Sequence, residues 1–183
     1  MKRDMKEINA MTILQAQLAH GMGLDGYAII MKGDPATDEF QRLFNGYYRV
    51  RRNAAWRKAF YNLFQRAKNE GFSFDRIIKE LYQQTGNIEA SFSSKMLATI
   101  DPSKPIWDQY VLQNLGLKLT GKTQTEKLRN AIALYWQIDR WYQDYLASAN
   151  AQETINAFDQ MLPDYAWLNP VKKIDCLLWS KRE

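Results

Sequence analysis

Apolar residues recur at helical spacing along most of the chain, and no segment of useful length alternates apolar and polar residues. The helical pattern is clearest over residues 40–64 and 128–146. A period near 3.6 residues lines up side chains on one face of a helix, whereas a half-buried strand requires a period of two. The pattern therefore predicts an all-α protein, with about eight helices packed around the long helix that contains residues 128–146.

Glycine, proline and capping residues predict where these helices begin and end. Ser73 is the expected N-cap of one helix, and Pro105 is expected at the first position of another. Three glycines within residues 21–26 predict a loop, and residues 27–31 fit a short strand without a clear partner. The expected helices span residues 5–19, 37–69 with a break near Asn45 and Gly46, 74–85, 91–100, 105–115, 123–149, 151–161 and 171–179.

The 183 residues match the size of one domain, and no linker rich in proline, glycine or serine divides them. Apolar residues make up 46% of the chain and aromatic residues 13%, which is enough to fill a sizeable core. This composition excludes a disordered protein, a fibrous protein and a disulfide scaffold. We expect a single helical domain over residues 1–183.

The sequence also predicts the compartment. Cys176 is the one cysteine, so an internal disulfide is excluded, which fits a reducing environment. No apolar run approaches the roughly 18 residues of a membrane-spanning helix, and polar residues interrupt the segment where a signal peptide would need an unbroken apolar run. We expect a cytoplasmic protein without a membrane association.

A basic segment lies between residues 42 and 68. It holds eight lysines and arginines and no acidic residue, so its charge exceeds the net +5 of the whole chain. Aromatic residues interleave with the charges, and Trp56, Phe60 and Phe64 form a stripe that we expect to be buried. The basic residues are Arg42, Arg49, Arg51, Arg52, Arg57, Lys58, Arg66 and Lys68.

Arginine forks match phosphate oxygens, so this segment indicates contact with a nucleic acid. If the segment is helical throughout, Arg49, Arg52 and Asn53 share one face. The alternative is a solvated helix face whose arginines pair with carboxylates elsewhere, such as those of Asp38, Glu39, Asp139 and Asp144. The candidate nucleic-acid-binding residues are Arg49, Arg51, Arg52, Arg57 and Lys58.

Residues 85–117 contain the most unusual pattern in the chain. A predicted helix with Lys95 leads through a turn bounded by prolines to Trp107 and Asp108, which open an apolar helix. An aspartate at this position is stabilised as a carboxylate by the helix dipole. The plain alternative is that Asp108 only caps its helix, that Trp107 lies in the core, and that Lys95 pairs with Glu89 or Asp101.

This pattern resembles the centre of the helix-hairpin-helix DNA glycosylases. In that family a catalytic aspartate opens a helix of the form proline, two hydrophobic residues, aspartate, two further residues and valine, which residues 105–111 match. The resemblance implies that Asp108 stabilises positive charge on a sugar and that Lys95 is a candidate catalytic residue. The family's hairpin holds a phosphate with a Gly-x-Gly motif, whereas this chain has one glycine, Gly86, and the family's lysine lies farther upstream than Lys95.

Other classes of site find little support. His20 is the one histidine, so a site of several histidines is excluded, and no carboxylate cluster has metal-ligand spacing; we expect neither a metal nor a cofactor. Cys176 lies among apolar residues and fits packing better than catalysis. The leading hypothesis is DNA binding, with glycosylase-like base excision through Asp108 as an extension of it, and whether the protein is an enzyme at all stays open.

The alternative hypothesis is a non-catalytic protein-interaction or accessory module. Its basis is the aromatic surplus on helices with broad apolar faces. Residues 128–146 place apolar side chains on more than one face, which fits either a central helix or a helix partly covered by a second subunit. This hypothesis includes a homo-oligomer formed through such faces.

Overall fold

A computed structural model describes residues 23–180. These residues form nine α-helices and one short 3₁₀ turn, with no β-strand among them, so the predicted all-α class is confirmed. They pack as one compact unit, and the longest helix is α7, as expected. The helices are α1 Leu24–Lys32, α2 Asp38–Tyr47, α3 Ala54–Glu70, α4 Phe74–Thr85, α5 Ala90–Ile100, α6 Gln109–Leu115, α7 Gln124–Leu146, α8 Ala149–Met161 and α9 Pro170–Ser180; the 3₁₀ turn is Pro163–Tyr165.

The strand predicted over residues 27–31 is wrong, because these residues belong to α1. Leu24, Tyr27 and Ile30 are the buried residues of α1, and their spacing of three is that of a helix face. The predicted loop is also too long, since α1 begins directly after Gly23, whose φ is 63°. The helix predicted over residues 5–19, and His20, lie outside the described residues.

Side-chain caps explain most helix boundaries. Ser73 caps α4 as predicted, accepting a hydrogen bond from the Arg76 amide. The break predicted near residues 45–46 lies at residues 48–53 instead, where Asn53 caps α3 and accepts from the Trp56 amide. Pro105 is not the first residue of α6, because the Asp108 carboxylate caps that helix and sets its start at residue 109.

The core between α2 and α3 is aromatic. Phe40 and Phe44 of α2 meet Phe60 and Phe64 of α3, with ring centroids 5.5–5.7 Å apart in three of these pairs. All four side chains are buried, and so is Trp56, so the predicted burial of the stripe of Trp56, Phe60 and Phe64 on α3 is confirmed. Such pairs prefer tilted and edge-to-face arrangements, and this packing holds the end of α2 firmly in place.

Helix α7 crosses the other half of the core and contacts α4, α8 and α9. Its buried residues include Tyr135, Ile138, Tyr142 and Tyr145. Helix α9 in turn packs against α6, α7 and α8, and nearly every one of its residues is buried. None of the helices within residues 23–180 has the length and apolar character needed to cross a membrane.

Candidate active-site cavity

A cavity of about 510 Å³ opens where four parts of the chain meet. They are the end of α2 with the turn after it, helix α5, the start of α6, and helix α9. Gly23 completes the wall. These four parts contribute Tyr47, Tyr48 and Arg49; Lys95; Asp108 and Tyr110; and Lys172, Asp175, Cys176 and Trp179 to the wall.

The cavity brings together three residues that the sequence singled out for different reasons. Lys95 and Asp108 come from the glycosylase-like pattern, and Arg49 comes from the basic segment. A hydrogen bond from the Trp107 amide to the Ser94 hydroxyl, 2.8 Å long, ties the segment before α6 to helix α5. This bond fixes Asp108 and Lys95, which follow Trp107 and Ser94 directly in the chain, relative to each other.

Asp108 has two roles in the structure. Its carboxylate accepts a hydrogen bond of 2.8 Å from the Tyr110 amide, so the capping interpretation is confirmed. The same residue also lies in the cavity wall, and its charge acts on Lys95. Asp108 therefore caps its helix and also lines the cavity.

The Lys95 ammonium group forms no ion pair or hydrogen bond with the part of the chain described here. The two partners proposed for it are engaged elsewhere, since Glu89 binds Arg52 and Trp56, and Asp101 binds Ser103. Burial lowers the pKa of Lys95, and the negative charge of Asp108 opposes that effect. A lowered pKa raises the share of neutral amine, which is the nucleophilic form of a lysine.

Aromatic rings surround the Lys95 ammonium. Its Nζ atom lies 5.1 Å from the ring centroid of Phe92 and 5.3 Å from that of Tyr48. Cation–π contacts of this length hold the cation in place without supplying a proton acceptor. Packing thus positions the amine, and no residue within 23–180 uses its hydrogen-bonding capacity.

Helix α9 supplies charged residues that sequence reasoning missed. Lys172 and Asp175 are both buried and form an ion pair of 3.4 Å, while the Tyr142 hydroxyl donates to Asp175 over 3.1 Å. Burial raises the pKa of Asp175, and Lys172 and Tyr142 act against it. The sequence holds one signal for this pair, which is that Lys172 and Asp175 lie within the otherwise apolar helix α9. Charged side chains in such a helix either face solvent or face each other.

Cys176 is buried in the same wall, which agrees with the predicted packing role. Burial raises the pKa of its thiol to about 11, so the thiol is neutral at physiological pH. Within residues 23–180 no group of three or more histidine, cysteine, aspartate or glutamate side chains could hold a metal ion.

The arginines of the basic segment differ in the ion pairs that they form within the described residues. Arg49 lies at the cavity wall. Both Arg49 and Arg51 are exposed, and neither forms an ion pair with a described residue. Arg52 binds Glu89 at 2.9 Å, and Arg66 binds Glu80 at 2.7 Å. Two further candidates, Arg57 and Lys58, are exposed near the start of α3.

The expectation that Arg49, Arg52 and Asn53 share a helix face is wrong. Residues 48–53 form a turn between two helices, and the Arg49 backbone adopts the left-handed conformation with φ of 52°. That conformation is strained for any residue with a Cβ atom. Since strained residues cluster at functional sites, the conformation of Arg49 is consistent with a functional role for this wall of the cavity.

Replacing Arg49 with glycine tests the strain directly. We expect Arg49→Gly to keep or raise the free energy of unfolding, by up to about 1 kcal/mol, because glycine adopts a positive φ without strain. Arg51→Gly is the matched control, since Arg51 has no positive φ and glycine there only adds freedom to the unfolded chain. Urea denaturation of both variants measures the difference; equal destabilisation by the two would contradict the prediction.

Comparison of the chain with protein-family models, curated proteins and solved structures finds no match to any of them.

Proposed function

We propose that the protein binds DNA and excises a base from a nucleotide held in the cavity, with Lys95 as the nucleophile and Asp108 as the carboxylate beside the sugar. One observation carries the proposal: Lys95 and Asp108, chosen from a sequence pattern, line the same cavity, and the Lys95 amine has no hydrogen-bond or ion-pair partner among the described residues. The resemblance to the helix-hairpin-helix glycosylases suggests the reaction type.

The size and lining of the cavity support this proposal. Its volume of about 510 Å³ falls within the range of small-molecule sites. Tyr47, Tyr110 and Trp179 lie in the wall, and aromatic rings of this kind stack on nucleobases. Enzymes that act on a base turn the nucleotide out of the duplex into such a pocket.

The chemistry assigns a task to each residue. The neutral Lys95 amine attacks C1′ of the deoxyribose; the C1′–N bond to the base breaks, and the base leaves with that electron pair and takes up the proton that Lys95 loses. Asp108 carries this proton and stabilises positive charge at C1′. The nitrogen lone pair then expels O4′ from C1′, O4′ takes a proton from water and leaves hydroxide, and a protonated imine joins Lys95 to the sugar.

Arg49 and Arg51 are the residues best placed to contact the DNA backbone, because both are exposed and form no ion pair within residues 23–180, and Arg49 lies in the cavity wall. Arginine binds phosphate oxygens through two parallel hydrogen bonds. Arg52 is less available, since Glu89 holds it. The mouth of the cavity would then contact phosphates, while the interior receives the nucleotide.

Salt titrations of DNA binding test this assignment. We expect Arg51→Ala to weaken binding and to reduce the slope of log K against log salt concentration by about 0.9, the value for one phosphate contact. Arg66→Ala is the control, because Arg66 is already paired with Glu70 and Glu80. Fluorescence anisotropy at several salt concentrations gives both slopes, and an unchanged slope for Arg51→Ala would remove that residue from the interface.

Borohydride trapping tests the proposed reaction. Sodium borohydride reduces an imine between a lysine and a sugar aldehyde to a stable amine, so the protein becomes linked to the oligonucleotide. We expect trapping with a duplex that contains an abasic site, which supplies the aldehyde directly. If the protein binds this duplex and no adduct forms, excision through a lysine is wrong.

The alternative proposal, a protein-interaction module, draws on exposed apolar side chains. Trp167 is 55% exposed and Ile29 53% exposed, although most other large apolar side chains of the described chain lie in the core. Scattered residues of this kind are normal on soluble proteins. A concentration-dependent dimer in sedimentation, abolished by Trp167→Ser, would favour this alternative over a monomeric DNA enzyme.

A further inference from the structure

The Tyr48 hydroxyl has no hydrogen-bond partner within residues 23–180. Its oxygen is buried, although Tyr48 lines the cavity. The ring is fixed by Phe44 and Tyr47, with centroids 4.6 and 4.8 Å away. Most buried hydroxyls are hydrogen-bonded, and one that is not calls for an explanation.

Lys172 is a second donor with spare capacity in the same wall. Its ammonium has three protons, and its hydrogen bond to Asp175 uses one of them. The Tyr27 ring, 4.5 Å from Nζ, covers another side of the group.

Burial raises the pKa of Tyr48 far above its ordinary value, against the effect of Lys172. Tyr48 is therefore neutral at physiological pH and able to donate.

The charge balance of this wall favours a neutral ligand atom. Asp175 lies 3.4 Å from Lys172 and offsets its charge, so a phosphate placed there would meet a carboxylate as well as an ammonium. Arg49, which is exposed and has no such carboxylate partner among the described residues, suits a phosphate better. Tyr48 and Lys172 in the wall thus match a neutral part of a nucleotide, whereas the Arg49 cation matches its phosphate.

We infer that Tyr48 and Lys172 donate hydrogen bonds to a carbonyl oxygen of the bound nucleobase, so that the site selects bases with a carbonyl over bases with an amino group. This inference rests on the proposed function and names its substrate class. A carbonyl oxygen has two lone pairs and accepts both bonds, whereas an exocyclic amino group offers only protons to these donors. A site built to hydrogen-bond a ligand rejects an analogue that leaves its polar groups unpaired.

The probes are two single-stranded oligonucleotides. One contains only adenine, and the other carries hypoxanthine at one central position between adenine flanks. Hypoxanthine differs from adenine by a carbonyl in place of the amino group, and the adenine flanks contain no carbonyl. Fluorescence anisotropy should show about tenfold tighter binding of the hypoxanthine oligonucleotide than of the all-adenine one, a difference on the scale of one or two hydrogen bonds. Tyr48→Phe should remove most of that preference.

Tyr135→Phe is the matched control, because the Tyr135 hydroxyl donates to the Pro105 carbonyl within the protein, at 3.2 Å, and does not line the cavity. This variant should unfold at a lower urea concentration yet keep the preference for hypoxanthine. Tyr48→Phe loses no protein hydrogen bond described here, so its unfolding midpoint should not fall. The two variants separate a role in binding from a role in stability.

Two outcomes would overturn the inference: equal binding of both oligonucleotides by the unaltered protein, or an undiminished preference in Tyr48→Phe. The proposed excision has its own test, since abasic-site DNA carries no base at the position where borohydride trapping occurs. A protein that traps abasic DNA but shows no preference for hypoxanthine would refute the base selection alone. A protein with the preference but no trapping would refute the lysine chemistry alone.

Discussion

Lys95→Gln is expected to abolish borohydride trapping of abasic-site DNA, because glutamine has no amine to form an imine with the sugar. Lys79→Gln is the matched control, since it removes the same charge from an exposed position on α4 outside the cavity wall. Trapping by the control at the level of the unaltered protein would show that the effect belongs to Lys95. Undiminished trapping in Lys95→Gln would show that another amine forms the adduct.

The same substitution should raise stability at neutral pH. Burial lowers the pKa of Lys95 in the folded protein. At a pH between the pKa of Lys95 in the folded protein and its pKa in the unfolded chain, the unfolded chain therefore binds more protons than the folded protein. The stability of the unaltered protein therefore gains a contribution as pH rises through that range, and Lys95→Gln lacks this gain. Urea denaturation of both proteins at pH 7 and at pH 10 measures this gain; an equal or greater gain in the variant would contradict the lowered pKa of Lys95.

Lys172→Met is expected to be the most destabilising single change in the cavity wall, with a loss of about 3–5 kcal/mol at pH 7. The substitution keeps an unbranched side chain of similar length but leaves the buried Asp175 carboxylate without its cation. The Tyr142 hydroxyl bond persists and does not replace a full charge. Chemical denaturation of the variant gives the free energy of unfolding.

The pH dependence of Lys172→Met provides an internal check. Burial raises the pKa of Asp175 above its unfolded value, so the folded variant takes up a proton more readily than the unfolded chain as pH falls. The variant should therefore recover part of the lost stability between pH 7 and pH 5. The double variant Lys172→Met/Asp175→Asn should recover much of the lost stability at pH 7. If neither the lower pH nor the second substitution restores stability, an uncompensated Asp175 carboxylate is not the cause of the loss.

Much of the fold could be predicted from local patterns. The helical period, the Ser73 cap and the glycines after α3 and α4 act within a few residues, so the sequence indicates them directly. Short segments were harder. Residues 27–31 are apolar enough to fit a strand or a helix, and only the packing of Leu24, Tyr27 and Ile30 on one face of α1 decides between them.

The candidate site was predicted in part. Lys95 and Asp108 lie in one stretch of the chain, so a sequence pattern was able to suggest both. Lys172 and Asp175 come from a distant segment, and only the packing of α9 against α6 and α7 brings them to the cavity. Tyr48 reaches the same cavity from the turn after α2. The arginines of the basic segment differ in the same way, because the partner of Arg52 is Glu89, 37 residues away.

The most direct test of the account is the identity of the residue that carries the sugar after borohydride trapping. The protein is trapped on abasic-site DNA and digested, and the modified peptide is sequenced by mass spectrometry. The account predicts the reduced sugar on Lys95. An adduct on Lys172, on an exposed lysine or on the N-terminal amine would contradict the assignment of Lys95 as the nucleophile.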